Sequence, residues 1–130
     1  MANQLFVNLP VEDLERSTAF FTELGFDFFG AGPDMASVVI TPDAQVMLLS
    51  RPTFARYARG EVADPASVTQ AILVLGMENP TEVDEMVDKA VAAGATPTGA
   101  PQTEGGRYSR GFADLDGHHW EALCLVAGAG

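Results

Sequence analysis

Two residues near the C-terminus are the first whose types and spacing could do chemistry. His119 and Glu121 lie two apart in the strand-like run His119-Trp-Glu-Ala-Leu-Cys-Leu125, so both side chains leave the same face. A His-x-Glu pair can begin a metal site if His118 or a group from another strand completes it. The plainer alternative is that His119 hydrogen-bonds near the strand mouth while His118 sits exposed in the Gly117 turn. A single cysteine, Cys124, excludes an intrachain disulfide and any cysteine-built zinc cage. Seven Lys and Arg against 18 Asp and Glu leave a net charge of −11 on 130 residues. That charge repels phosphate backbones, so nucleic acid and anionic membrane surfaces are poor partners.

The elements that must position these groups are readable from pattern. At 47% hydrophobic the chain can build a real core, and its length suits one domain. No apolar run approaches the ~18 residues of a membrane span. The opening MANQLFVNLP lacks the basic-then-apolar order of a signal peptide, so a mature, cytoplasmic chain is expected. Residues 4–11 read as a strand that Pro10 should end. Asp13 is a good N-cap for a helix carrying Leu14, Phe20, Phe21 and Leu24, with Gly25 as its stop. Strands are expected at 27–29, 35–40 and 46–50, then a short helix at 53–59. A near-continuous apolar strand at 69–77 follows. Thr81 and Asp84 form a weak capping box for a helix along Val83, Val87 and Ala90 that stops at Gly94. Strands at 96–101, 107–114 and 119–125 precede a tail, 126–130, expected to fray.

The order β-α-β-β-β therefore occurs twice. Shifting Val11-Glu12-Asp13 by 66 places it on Met77-Glu78-Asn79, and both triplets stand at a strand-to-helix junction. Gly25 and Gly94 end the two helices. Repetition of the whole element order reads as an internal duplication.

With these motifs in place the chain resembles the vicinal oxygen chelate superfamily, the glyoxalase/bleomycin resistance/dioxygenase proteins. Phe6-Val-Asn-Leu-Pro-Val-Glu-Asp-Leu-Glu-Arg-Ser17 looks like the family's first strand entering its first helix. Phe20-Phe-Thr-Glu-Leu-Gly-Phe26 is similar to the usual F-Y-x-x-L-G-F continuation, and Asp114-Leu-Asp-Gly-His-His-Trp-Glu121 to the D-P-D-G-x-x-x-E last strand. The resemblance is nearest to small bacterial proteins related to lactoylglutathione lyase. It implies an α+β fold of two tandem βαβββ modules whose curved sheets surround a cup-shaped cavity, often in a homodimer. Within one domain of residues 1–130, module one spans about 1–52, a link about 53–68 and module two about 69–126.

In metal-dependent relatives four strand positions point His, Gln or Glu into the cup. Motif by motif these positions fall on Phe6, Leu48, Ile72 and Glu121, and the repeat agrees, since Phe6 shifted by 66 is Ile72. Hydrocarbon has no lone pair to donate, so the expectation is no metal and no other cofactor. The cavity is expected to be lined by Phe6, Asn8, Leu48, Ser50, Ile72, Val74, His119 and Glu121. Among apolar walls a carboxylate resists ionisation, which is how such a group comes to serve as acid or base near neutral pH. Glu121 is thus the candidate catalytic residue, unless Asn8, Ser50 or water simply satisfies it. Arg51, Arg107 or Arg110 could fold over the mouth, Tyr108 could close over a ligand, and Phe28 or Phe29 could form a wall. Acidic Glu82, Asp84, Glu85 and Asp88 read as a solvated helix face.

Two functions fit these expectations. The first is metal-independent binding of a small molecule, similar in mechanism class to drug-sequestering bleomycin-resistance proteins. The second is a lyase or isomerase of a small carbonyl compound with Glu121 as acid or base. A third, structural reading is an interaction module that uses only its surface.

Overall fold

The computed structural model describes residues 1–126, and the fold is α+β with two curved sheets. The chain divides after Val62 into two compact units. In the first unit the order is β1 (Leu5–Val11), α1 (Leu14–Glu23), β2 (Asp27–Ala31), β3 (Met35–Thr41), β4 (Ala44–Ser50) and α2 (Arg51–Tyr57). Its sheet runs β1-β4-β3-β2, with β1 parallel to β4 and the other pairs antiparallel. Asp13 caps α1 by accepting from the Arg16 N–H at 3.1 Å, as its type and place predict. Gly25 adopts φ +96°, a left-handed turn that a side chain would resist, and this turns the chain out of α1.

One residue of each strand pair faces α1 and the next faces away. Val7, Leu9 and Val11 of β1 register with Val46, Leu48 and Ser50 of β4. Ala36 and Val38 of β3 join them in register. Val11, Val38, Leu48 and Phe21 are each at most 1% exposed, so this side is the unit's core. Pro10 does not end the strand, since pairing continues to Val11↔Ser50. On an edge strand the missing proline N–H removes no ladder bond, which is why β1 tolerates it.

The second unit repeats the plan with β5 (Ile72–Gly76), α3 (Pro80–Ala92), β6 (Thr96–Pro97), β7 (Gln102–Glu104), β8 (Arg107–Ala113) and β9 (His119–Leu125). Its sheet runs β5-β9-β8-β6, with β5 parallel to β9 and β7 pairing with β8 beside β6. Of the expected strand at 96–101 only Thr96–Pro97 forms: the chain turns at Gly99, φ +117°, and β7 begins just past the expected end, at Gln102. The α3 cap is Asn79, not Thr81: its side chain accepts from Glu82 N–H at 2.9 Å, while the Glu82 carboxylate accepts from Glu78 N–H at 3.0 Å. Trp120, Ala122 and Cys124 face α3 and are at most 1% exposed, as alternation along β9 predicts.

The turn between β8 and β9 is organised by one buried carboxylate. Asp114 Oδ1 accepts from the backbone N–H groups of Asp116, Gly117 and His118 at 3.0, 3.1 and 3.0 Å. Its Oδ2 accepts from Trp120 Nε1 at 3.0 Å. Burial pushes the Asp114 carboxyl above its ordinary value, against the opposing pull of the His118 charge and these N–H donors. Of the tail expected to fray, Val126 is tied by its N–H to Gly106 O at 2.8 Å, and 127–130 lie outside the described residues. No helix among the described residues is long and apolar enough to cross a membrane.

Candidate functional site

In the first unit the sheet face turned away from α1 carries Phe6 and Asn8 of β1, Gln45 and Met47 of β4, and Met35 and Ser37 of β3, all in register. The face holds a hollow of about 840 Å³ lined by these residues except Asn8, and by Phe29 and the turn from Gly30 to Asp34. Phe6, Phe29 and Met35 are 48%, 73% and 42% exposed, so large apolar groups surround open space. Such a concave, mainly apolar surface with a few fixed polar groups is the ordinary form of a small-molecule site.

Its polar groups are ordered. Ser37 Oγ donates to Gln45 Oε1 at 2.6 Å, and Gln45 Nε2 donates to Pro42 O at 3.3 Å. A carbonyl oxygen can only accept, so Pro42 fixes which end of the amide is nitrogen. Among the described charged residues, only Asp34 lines the hollow. A second hollow of about 920 Å³ lies between the first turn of α1 and the same β2–β3 turn. Its wall mixes Glu12, Glu15 and Arg16 with Leu14, Ala19, Pro33 and Ala36; Asp13 there is already used as the cap, and none of the described residues lining it is aromatic or a methionine. The open sheet face is therefore the better candidate.

Leu48 is not part of it. It is 0% exposed, registers with Leu9 and Ala36, and belongs to the core against α1. The strand position facing the hollow is Met47, with Gln45 two residues before it. The physical reason is alternation: Phe6 and Asn8 register with Gln45 and Met47, so Leu48, one residue on, takes the opposite face with Leu9. Ser50 is also elsewhere. It lines the second hollow and donates to Thr53 Oγ1 at 2.9 Å. Phe29 lies on the open face as one expected wall, whereas Phe28 registers with Val38 on the core side.

In the second unit, Ile72 and Val74 of β5 register with His119 and Glu121 of β9, on the face turned away from α3. Ile72 and Val74 are 50% and 53% exposed. His119 Nε2 lies 3.2 Å from Thr98 Oγ1, the plainer of the two readings of this histidine. Glu121 is half-buried and packs over Gly111, where a Cβ would come within 3.2 Å of its Cγ. Tyr108 and Arg110 do not reach this face. Tyr108 Oη donates to Asp84 at 2.6 Å, and Arg110 Nη1 donates to Asp84 and Asp88 at 3.1 Å each, all on the α3 side. The Tyr108 hydrogen bond, then Arg110, holds the Asp84 carboxyl below its ordinary value, against some desolvation. The same bond pushes the Tyr108 hydroxyl up. Burial opposes the charge on Arg110, but its two aspartates raise it overall. Part of the acidic face of α3 is thus bonded, not merely solvated.

The metal donors of the family pattern are poorly matched by the residues present. Phe6 and Ile72 have no donor atom, Met47 offers only a soft thioether, and the Gln45 oxygen already accepts from Ser37. Among the described residues no group of three or more His, Cys, Asp or Glu could hold a metal ion. His119 and Glu121 alone do not enclose a cation.

Sequence reasoning missed Ser37, Gln45, Met35 and Met47. The signal available was the alternation of β3: Ala36 and Val38 are the small and apolar core positions, so Met35 and Ser37 must face away.

Solved structures share this fold. Hypothetical protein SA1046 from S. aureus matches at 29% identity with a TM-score of 0.83, over 96% of this chain and 95% of that one. A glyoxalase-related enzyme from Fulvimarina pelagi matches at 20% identity and TM-score 0.82, over 95% and 88%. Fosfomycin resistance protein FosX from Mesorhizobium loti matches at 17% identity and TM-score 0.71, over 98% and 95%. No curated protein matches the chain. The model of the Glyoxalase/Bleomycin resistance protein/Dioxygenase superfamily matches residues 4–122, and the chain belongs to that superfamily.

Proposed function

We propose, taking membership of that superfamily as the premise, that this protein binds a small molecule against the open sheet face of its first unit without using a metal. The observation that carries the reading is the 840 Å³ hollow, with half-exposed Phe6 and Met35 around the fixed Ser37–Gln45 pair. Exposed aromatic and thioether groups in a hollow gain by excluding water against an apolar ligand, at about 25 cal/mol per Å² covered. The amide and hydroxyl then fix its orientation. The donor set argues against a resident cation, for the reasons given by the side chains themselves. Pairing of two chains, which the resemblance implies, belongs to the same proposal and is read by equilibrium sedimentation.

The test is a titration of chelator-treated protein with the neutral apolar dye Nile red. Saturable binding at one dye per chain, weakened at least tenfold in Met47→Arg with the fold intact by circular dichroism, supports the site. Binding that needs an added divalent metal, or that Met47→Arg leaves unchanged, overturns it. The alternative, carbonyl chemistry with Glu121 as acid or base, draws on its place beside Val74 on the open face of the second unit. Turnover lost in Glu121→Gln would favour that reading.

A further inference from the structure

Resting on the binding site just proposed, we infer that its ligand is an apolar molecule carrying an N–H-donating cation, such as an alkyl- or arylammonium or guanidinium group, and that carboxylates are rejected. The inference comes from counting what the lining side chains still offer. Ser37 spends its one proton on Gln45 Oε1 and keeps its lone pairs. Gln45 spends one of its two amide protons on Pro42 O and one oxygen lone pair on Ser37. A single N–H therefore remains between them, against lone pairs on both oxygens. Gln4, also lining the hollow, adds as many donors as acceptors. Asp34 adds a carboxylate, which when ionised only accepts. Among the described residues neither Lys nor Arg lines the hollow.

The lining side chains are thus rich in acceptors and short of donors. A ligand carboxylate would bring more lone pairs and a negative charge to that surface, and its desolvation would find little compensation. An ammonium or guanidinium brings only donors and a positive charge, and its hydrogen bonds to charged acceptors are the stronger kind. The apolar lining agrees: Phe6 and Phe29 present aromatic rings, and a ring face attracts a cation. A net charge of −11 steers cations toward the whole molecule, so the local effect must be separated from the global one.

Three naphthalene probes of similar size make the test: 1-naphthylmethylamine, 1-naphthalenemethanol and 1-naphthylacetate, each displacing Nile red at 0.15 M salt. The amine should displace the dye at a concentration about tenfold below the alcohol, with the acetate weakest. Asp34→Asn should lower the amine-to-alcohol preference about threefold. Glu85→Gln on α3, in the other unit, removes the same charge and should leave the ratio unchanged. Nile red that binds and is displaced equally well by acetate and amine overturns the inference and leaves the site standing. An equal fall in the ratio for Asp34→Asn and Glu85→Gln overturns it as well, because global charge would then suffice. Nile red that does not bind at all overturns both the site and the inference.

Discussion

The two units of this chain share one plan and differ on one side of it. Facing the helix, both sheets bury a closed apolar layer: Val38, Leu48 and Phe21 in the first, Phe112, Trp120 and Ala122 in the second. Facing away, the first unit presents Phe6, Met35 and Met47 around a Ser37–Gln45 hydrogen bond, whereas the second presents Ile72, Val74, His119 and Glu121. The core side is constrained by packing and so is similar in kind in both. The open side is free to differ, and there one unit presents an apolar hollow while the other holds a histidine and a carboxylate. One plan used twice thus separates what must fold from what can be specialised.

The sharpest way to break this comparison is to cut the two faces of β4 apart. Leu48→Ala should cost about 2–5 kcal/mol in urea unfolding, because a fully buried side chain leaves a cavity behind. Met47→Ala, one residue away, should cost about 1 kcal/mol or less while weakening Nile red binding. Equal stability losses would mean that β4 is not two-sided.

In the second unit, Asp114→Asn should lose about 1–3 kcal/mol, read the same way. The amide must turn its NH2 either toward Trp120 Nε1–H or toward the three backbone N–H groups, and donor would then meet donor. A stability equal to that of the parent would refute the role of this carboxylate in holding the turn.

Gly111→Ala should follow at about 1–3 kcal/mol, the usual cost of overpacking. Its Cβ would land on Thr98 Oγ1, 3.1 Å from Trp120 O and 3.2 Å from Glu121 Cγ. The His119 ring resonances should shift as Thr98 is displaced. Unmoved histidine signals would show that Gly111 does not make the room in which Thr98 and His119 meet.

Tyr108→Phe should have the smallest effect of these substitutions, present at neutral pH and vanishing at the extremes. The folded Asp84 titrates below its ordinary 3.8, so its contribution is present above that value and is lost as pH falls through the folded one. The folded Tyr108 titrates above 10.0, so its contribution is present below that value and is lost as pH rises through the folded one. Thermal melts from pH 2 to 11 should show the parent losing a stabilising margin over Tyr108→Phe at both ends. Parallel curves throughout would count against the Tyr108–Asp84 bond.

How much of this was legible in the residues follows from what each signal depends on. Caps and stops are local, so Asp13, Gly25 and Gly94 could be read directly. The inward set of β9 followed from strict alternation. Leu48 was misplaced because the motif alignment is weak along the fourth strand, and an error of one residue there exchanges the two faces of a strand. Asn79 outcompeted Thr81 because Pro80 is well suited to the first helical position, which leaves Asn79 as the cap. Tyr108 and Arg110 were assigned to the rim because nothing in a sequence shows that Asp84 and Asp88, some 20 residues earlier, lie opposite them on α3.

The central claim is that ligand binding belongs to the open face of the first unit and needs no metal. Amide NMR of chelator-treated protein titrated with 1-naphthylmethylamine tests it most directly. The account predicts saturable shifts at Phe6, Ser37, Gln45 and Met47, with Ile72, Val74, His119 and Glu121 unmoved. Shifts concentrated on the latter four, or no shift until a divalent metal is added, would contradict it.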